Sequence, residues 1–274
     1  MQMAAIELNS SAFWQRGHGK RHFYVSTAFS MSGARHTISH RLGPMHRMFD
    51  LVGRYKSTLP LVSRGGSRAF TVPYPSHLTR HSSNMAQNTS SSRRDLFAYF
   101  SGSLDVCCTG KKARCLLADT PIEEDVVVKS VTRETGKGPC ALRYEQTRQH
   151  VTLYGKPTFR LEDEKFMRKS TFCFAFAGDN CISQRFYNAI INECIPVISC
   201  EVIGAFSRRI PYSSMTVRIH DTQNMTTILS MLRSIKLARI QKMQHLLRKY
   251  APLVSYESSA PSQVLIEALA KAKE

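Results

Sequence analysis

Apolar residues fall into short runs separated by polar turns, and the runs change character near residue 95. Ahead of that point, "HFYVSTAF" (His22–Phe29) packs aromatic and β-branched residues as a strand does. "HRLGPMHRMFDLVGRY" is a short amphipathic stretch broken at Gly-Pro, and "RAFTVPYP" is a second short strand ended by prolines. Ser76–Arg94 is poor in large apolar residues and rich in Ser and Asn, the composition of a linker or exposed loop.

From Asp95 the rhythm is regular. "DLFAYFSG" is a buried strand ending at Gly102, "GKKARCLLAD" a short helix carrying Arg114, and "DVVVKSV" a β-branched strand. "TRETGKGPCALRYEQTRQ" reads as an irregular excursion. "LEDEKFMRKS" is a helix with acids in its first turn and bases in its last, so complementation of the helix dipole explains Glu162-Asp163-Glu164. The apolar strand "FCFAFA" leads to a helix over 183–192 and the strand "IPVIS"; "MTVRI" (Met215–Ile219) is a further strand. From Thr222, apolar residues recur at three- and four-residue steps, which predicts a long amphipathic helix capped by Asp221 or Thr222 and bent near Ile235–Leu237. Strands that are continuously apolar and alternate with helices predict an α/β fold, a parallel Rossmann-like sheet covered on both faces.

Charge narrows the partners. Lys+Arg number 38 against 20 Asp+Glu, a formal +18, which favours an anion: nucleic acid, an acidic membrane face, or a phosphorylated or acidic-sugar substrate. The excess is concentrated in the first hundred residues, whose only acids are Glu7, Asp50 and Asp95. No run approaches the ~18 apolar residues of a membrane span. The opening residues lack a charged segment followed by an apolar one, so the protein is cytosolic or the sequence is a piece whose targeting segment lies outside it. The eight cysteines form no C-x-x-C pair, which argues against a zinc ribbon. Cys173 and Cys194, inside apolar patterns, are most simply small core residues, Cys107-Cys108 loop or buried cysteines, and disulfides remain open among the others. Asn9, Asn88 and Asn224 fit the glycosylation sequon, a pattern common by chance. The pairs His18/His22 and His36/His40 lack the glutamate of a metalloprotease helix and read as solvated histidines.

The stretch with the most chemistry is "AGDNCISQR". Ligands of open parallel sheets sit beyond the carboxyl ends of the strands, where helix N-termini present free N–H groups. Gly178 permits the turn, Ser183 is a natural N-cap able to donate its hydroxyl to an anion, and Arg185 in the first helical turn offers a forked pair of donors. By residue type alone the plain explanation comes first: a capping serine and a solvated arginine. Asp179, at the mouth of this turn, is the one acid the sequence offers as a base, and a Gly-Asp turn also explains it. Neither a P-loop nor a G-x-G-x-x-G follows any strand, against an NTPase or dehydrogenase.

The segment "STFCFAFAGDNCISQRFYNAIINECIPVIS" resembles the signature of the exostosin-like glycosyltransferases, family 47. "WQRGHGKRHFYVST", "AFTVPYP", "RRDLFAYFSG", "KKARCLL" and "KMQHLLRKYAP" resemble further segments of that family in the same order, from about Trp14 to Tyr256. The resemblance implies a GT-B architecture of two Rossmann-like domains: a partial, acceptor-side N-terminal one over 1–92, a nucleotide-sugar-binding one over 93–256, and a C-terminal tail over 257–274. It also implies transfer of a sugar from a UDP-sugar to a polysaccharide or glycoprotein glycan in the Golgi lumen, with no metal or cofactor, and possible company of other glycosyltransferases. Arg114, Gly178, Ser183, Arg185 and Asn188 would then hold the nucleotide sugar, Asn188 standing where the family often has an acid suited to the ribose hydroxyls. Two other readings stay open: a catalytically degenerate member that binds a glycan or a partner, and a basic nucleic-acid-binding protein. The last lacks a recognition module, and its aromatics fall in core-like runs.

Overall fold

The computed structural model describes residues 12, 23–26, 59–62, 70–71, 73, 94–106, 108–132, 138–147, 151–153, 157–178, 181–202, 204–220 and 223–271. The chain divides into two compact units, Met1–Val72 with Ile203–Phe206, and Pro73–Val202 with Ser207–Glu274. In the first, β1 (Phe23–Ser26), β2 (Leu59–Val62) and β3 (Phe70–Thr71) form a parallel sheet in that order. The amphipathic stretch 40–55, the paired histidines, residues 76–93 and the sequons at Asn9 and Asn88 lie outside the described residues.

The second unit holds β4 (Leu96–Gly102), α1 (Lys111–Leu116), β5 (Val126–Thr132), α2 (Pro139–Thr147), β6 (Val151–Leu153), α3 (Pro157–Lys169), β7 (Ser170–Phe174), α4 (Gln184–Ile191), β8 (Ile195–Ile198), β9 (Val217–Arg218), α5 (Met225–Arg233), α6 (Leu237–Val254) and α7 (Ala260–Lys271). Its six strands are all parallel and run β6-β5-β4-β7-β8-β9 across the sheet. Numbered from β4 that order is 3-2-1-4-5-6, the Rossmann arrangement, which reverses direction between β4 and β7. The fold class is therefore as the apolar runs predict. Ala98, Tyr99 and Phe100 on β4, and Phe172, Cys173 and Phe174 on β7, are buried in succession, because helices cover both faces of the two central strands.

Several local expectations change. The excursion over 132–149 contains α2, whose first N–H groups are capped from a distance: Cys140 and Ala141 donate to the Asp105 carboxylate at 3.0 and 2.9 Å. α3 begins at Pro157, a residue suited to a first helical turn, so Glu162–Glu164 lie beyond that turn and dipole complementation does not explain them. They pair individually instead: Glu162 with Lys129, Asp163 with Tyr99, Glu164 with Arg168. The long helix is two, α5 and α6, separated at Ser234–Lys236; Asn224 caps the first, its side chain accepting from the Thr227 N–H at 2.8 Å. "MTVRI" is reduced to the two residues of β9 at the sheet edge, and residues 260–271 of the expected tail are helical. Arg94 ties the lower end of the sheet by donating to the carbonyls of Ser170 (2.6 Å) and Asn192 (3.3 Å), and burial lowers its pKa to about 10.

Cys173 and Cys194 are not separate thiols in a core but a disulfide joining β7 to the start of β8. Cys115–Cys140 joins α1 to α2, and Cys181–Cys200 joins the loop after β7 to the loop after β8. Cys173–Cys194 closes a separation of 21 residues and packs against Tyr99 and Met167. Loop-closure entropy for a ring of that size is worth about 3 kcal/mol. The Cys173→Ala/Cys194→Ala double variant should therefore lose about 3 kcal/mol in urea unfolding, and an unchanged midpoint would show that the bridge adds nothing to the packing.

Candidate functional site

The loops leaving β4 and β7 run to opposite sides of the sheet, β4 toward β5 and β7 toward β8, and open a crevice between their carboxyl ends. Two sequence features keep the crevice narrow at its base. Gly110 donates to the Gly178 carbonyl at 2.8 Å, and a Cβ at Gly110 would fall 1.8 Å from the Ala177 carbonyl oxygen. Only glycine lets these two loops touch.

Two arginines enter this base. Arg114, from α1, is buried; its Nε donates to the Ala177 carbonyl at 2.7 Å and a terminal nitrogen donates to the Ser103 carbonyl at 3.1 Å. It thereby links both strand exits. Its other terminal nitrogen lies against Gly178, where an added Cβ would come within 2.9 Å. Arg185, from α4, turns back over the end of β4. Its Nε donates to the Ser101 carbonyl at 2.7 Å and its guanidinium lies 4.7 Å from the Phe100 ring centroid. Gly102 makes room for it: a Cβ there would be 2.0 Å from the arginine's Nη2, and the residue's φ of +156° itself favours glycine.

Beneath Arg185 lies an acid that composition and spacing do not single out. Asp163 accepts from the Tyr99 hydroxyl at 2.6 Å. Burial raises its pKa, while the Tyr99 hydrogen bond and the Arg185 charge oppose that rise. Burial likewise lowers the Arg185 pKa, and the Asp163 charge counters it; the Tyr99 hydroxyl is pushed up by burial and by Asp163. Tyr99, stacked on Phe166 with centroids 5.3 Å apart, fixes the acid in place. The spacing of Asp163 four residues before the buried Met167 on α3 is the signal that would have found it.

Ser183 occupies the N-cap of α4 in extended conformation, as the sequence predicts, yet its hydroxyl caps nothing. The Oγ atom is buried and has no hydrogen-bond partner among the described residues. A buried hydroxyl left so is costly unless a ligand completes it. Asn188 lies five residues further along α4, buried, its main-chain carbonyl accepting from Asn192. The structure thus gathers Arg114, Gly178 and Arg185 at the strand exits and Ser183 at the start of α4, with Asn188 further along that helix. Asp179 lies outside the described residues.

Fold and site together define a Rossmann-like α/β protein with two guanidiniums and a helix N-terminus at its switch point, an arrangement made for an anion. The Exostosin GT47 domain matches the chain over residues 2–235. The chain belongs to the exostosin family of glycosyltransferases, family 47. No curated protein sequence matches it significantly. Among solved structures it is similar to sucrose-phosphate synthase from Thermosynechococcus elongatus, at 10% identity over 92% of this chain and 68% of that one, TM-score 0.49. It is also similar to WaaG, a glycosyltransferase involved in lipopolysaccharide biosynthesis (14%, 88% and 72%, 0.47), and to AviGT4, a glycosyltransferase involved in avilamycin A biosynthesis (11%, 73% and 57%, 0.40). The chain thus spans less than two thirds of AviGT4.

Proposed function

We propose that the chain transfers a sugar from a UDP-sugar to a polysaccharide or glycoprotein glycan, with the donor diphosphate at the crevice between β4 and β7. The observation that carries this reading is the pair of carbonyl-braced arginines, Arg114 and Arg185, at the strand exits, together with the Ser183 hydroxyl at the start of α4, which has no hydrogen-bond partner among the described residues. Bracing by carbonyls fixes each guanidinium before any ligand arrives, so charge that grows on the leaving UDP meets donors already aimed. Gly178 allows a phosphate to approach the backbone, and the N-terminus of α4 adds its partial positive charge. The chemistry asked of the site is electrostatic and needs no metal. Asn188, on α4, would serve the ribose hydroxyls. The disulfides of the second unit support residence in an oxidising compartment, here the Golgi lumen, where glycan acceptors and other glycosyltransferases are met.

Calorimetric titration of the full chain with UDP and with UDP-sugars tests the reading. Binding of UDP is expected; a correctly folded chain that takes up neither UDP nor any UDP-sugar overturns it. Ser183→Ala removes one hydroxyl donor to a charged ligand, worth about 1.5 kcal/mol, so UDP should bind roughly tenfold more weakly. Because the hydroxyl has no hydrogen-bond partner among the described residues, the same variant should melt at the wild-type temperature or slightly above.

A further inference from the structure

Along the free edge of the second sheet, beside β9, is a cavity of about 980 Å³, away from the β4–β7 crevice. Its buried side is formed by Ile198, Ile210, Tyr212 and Val217. Its exposed side carries Arg218, Lys236 and Arg239 against one carboxylate, Glu201. The serines Ser207 and Ser213, both exposed, add hydroxyls. Lys236 is also the N-cap of α6, whose first turn contains no acid, so the helix dipole adds to the positive field.

The arginines here differ from most others in the unit. Carboxylates hold Arg143, Arg168, Arg233 and Arg248, and a carbonyl holds Arg185. The guanidiniums of Arg218 and Arg239 make no hydrogen bond or ion pair among the described residues. Two uncompensated guanidiniums and a lysine around one cavity are a standing field for a ligand with several negative charges. The cavity's aromatic, Tyr212, is only 6% exposed and offers no ring face to a base, which disfavours single-stranded nucleic acid. Apolar walls flanked by hydroxyls and cations suit a pyranose chain whose carboxylates recur along one side.

We infer that this groove binds a uronate-bearing segment of an acidic polysaccharide, holding the acceptor or growing chain apart from the donor crevice; the inference rests on the glycosyltransferase reading above. The guanidiniums receive the carboxylates, and Ser207 and Ser213 the ring hydroxyls.

The test uses the full chain and three probes: a short oligogalacturonide, a neutral galactan oligosaccharide of equal length, and a polyglutamate peptide. The oligogalacturonide should bind with an affinity that falls as salt rises, and the neutral oligosaccharide and the peptide at least about tenfold more weakly. Arg218→Ser/Arg239→Ser should weaken oligogalacturonide binding about tenfold while UDP titrates as in wild type. Equal affinity for the neutral oligosaccharide, equal affinity for polyglutamate, or a double variant that binds like wild type would each overturn the proposal. Titrating UDP on the same preparations separates the two ideas: loss of UDP binding with oligogalacturonide binding intact refutes the donor site alone, and the reverse refutes the groove alone.

Discussion

Arg185→Ala is expected to weaken UDP binding by about a hundredfold and to lower stability by about 2 kcal/mol. The binding loss follows from removing a charge-assisted pair of donors from a desolvated position, where each such bond is worth about 1.5–3 kcal/mol. The stability loss has a separate origin. Without Arg185 the Ser101 carbonyl loses its donor and Asp163 loses the cation nearest to it, while Tyr99 still holds the acid in a buried place. Arg185→Lys separates these contributions. A lysine keeps the charge and so relieves Asp163, but it has no Nε–H to give Ser101 while offering a fork to a diphosphate. Its melting temperature should return most of the way to wild type and its UDP affinity should not. Calorimetry and thermal unfolding of the three proteins check this; full recovery of UDP affinity with lysine would mean that only point charge matters at position 185.

The behaviour of Arg185 also shows what local sequence conveys and what it does not. The buried strands β4, β5 and β7 were legible because an inner parallel strand has no polar face to interrupt its apolar run, and the order of runs was enough for the α/β class. β2, whose run Leu-Pro-Leu-Val carries a proline, and the three-residue β6 were not legible, and β9 is shorter than the run Met215–Ile219 that announces it. Helix α2 was hidden behind Gly136–Gly138 because its cap is Asp105, some 35 residues away. The same limit applies to the site. Residue type and position picked out Gly178, Ser183 and Arg185, and the family resemblance added Arg114. That Arg185 would fold back onto β4 depends on Ser101, Gly102 and Asp163, which only the sheet order brings to it. Position 193 is a further case. Its backbone is left-handed, φ 56°, a conformation that suits glycine, and the glutamate there is held by Arg248 at 2.9 Å, a residue of α6. A sequence read one residue at a time sees only an acid at a helix C-terminus.

Gly102→Ala should abolish tight UDP binding although Gly102 itself offers the nucleotide no side chain. The added methyl would fall 2.0 Å from Nη2 and 2.9 Å from Cζ of Arg185, so the guanidinium must leave its place over Phe100 and its bond to Ser101. Alanine at φ +156° costs a further 1–3 kcal/mol or so of backbone strain, which appears in the melting temperature. The loss of affinity, by contrast, runs through one side chain. If so, Gly102→Ala and Arg185→Ala cannot add: the double variant should bind UDP about as weakly as Arg185→Ala alone, a coupling of about 2.8 kcal/mol in a double-mutant cycle. Additive losses of affinity would show that Gly102 serves the ligand directly, by letting the phosphate approach the β4 backbone, and that Arg185 acts on its own.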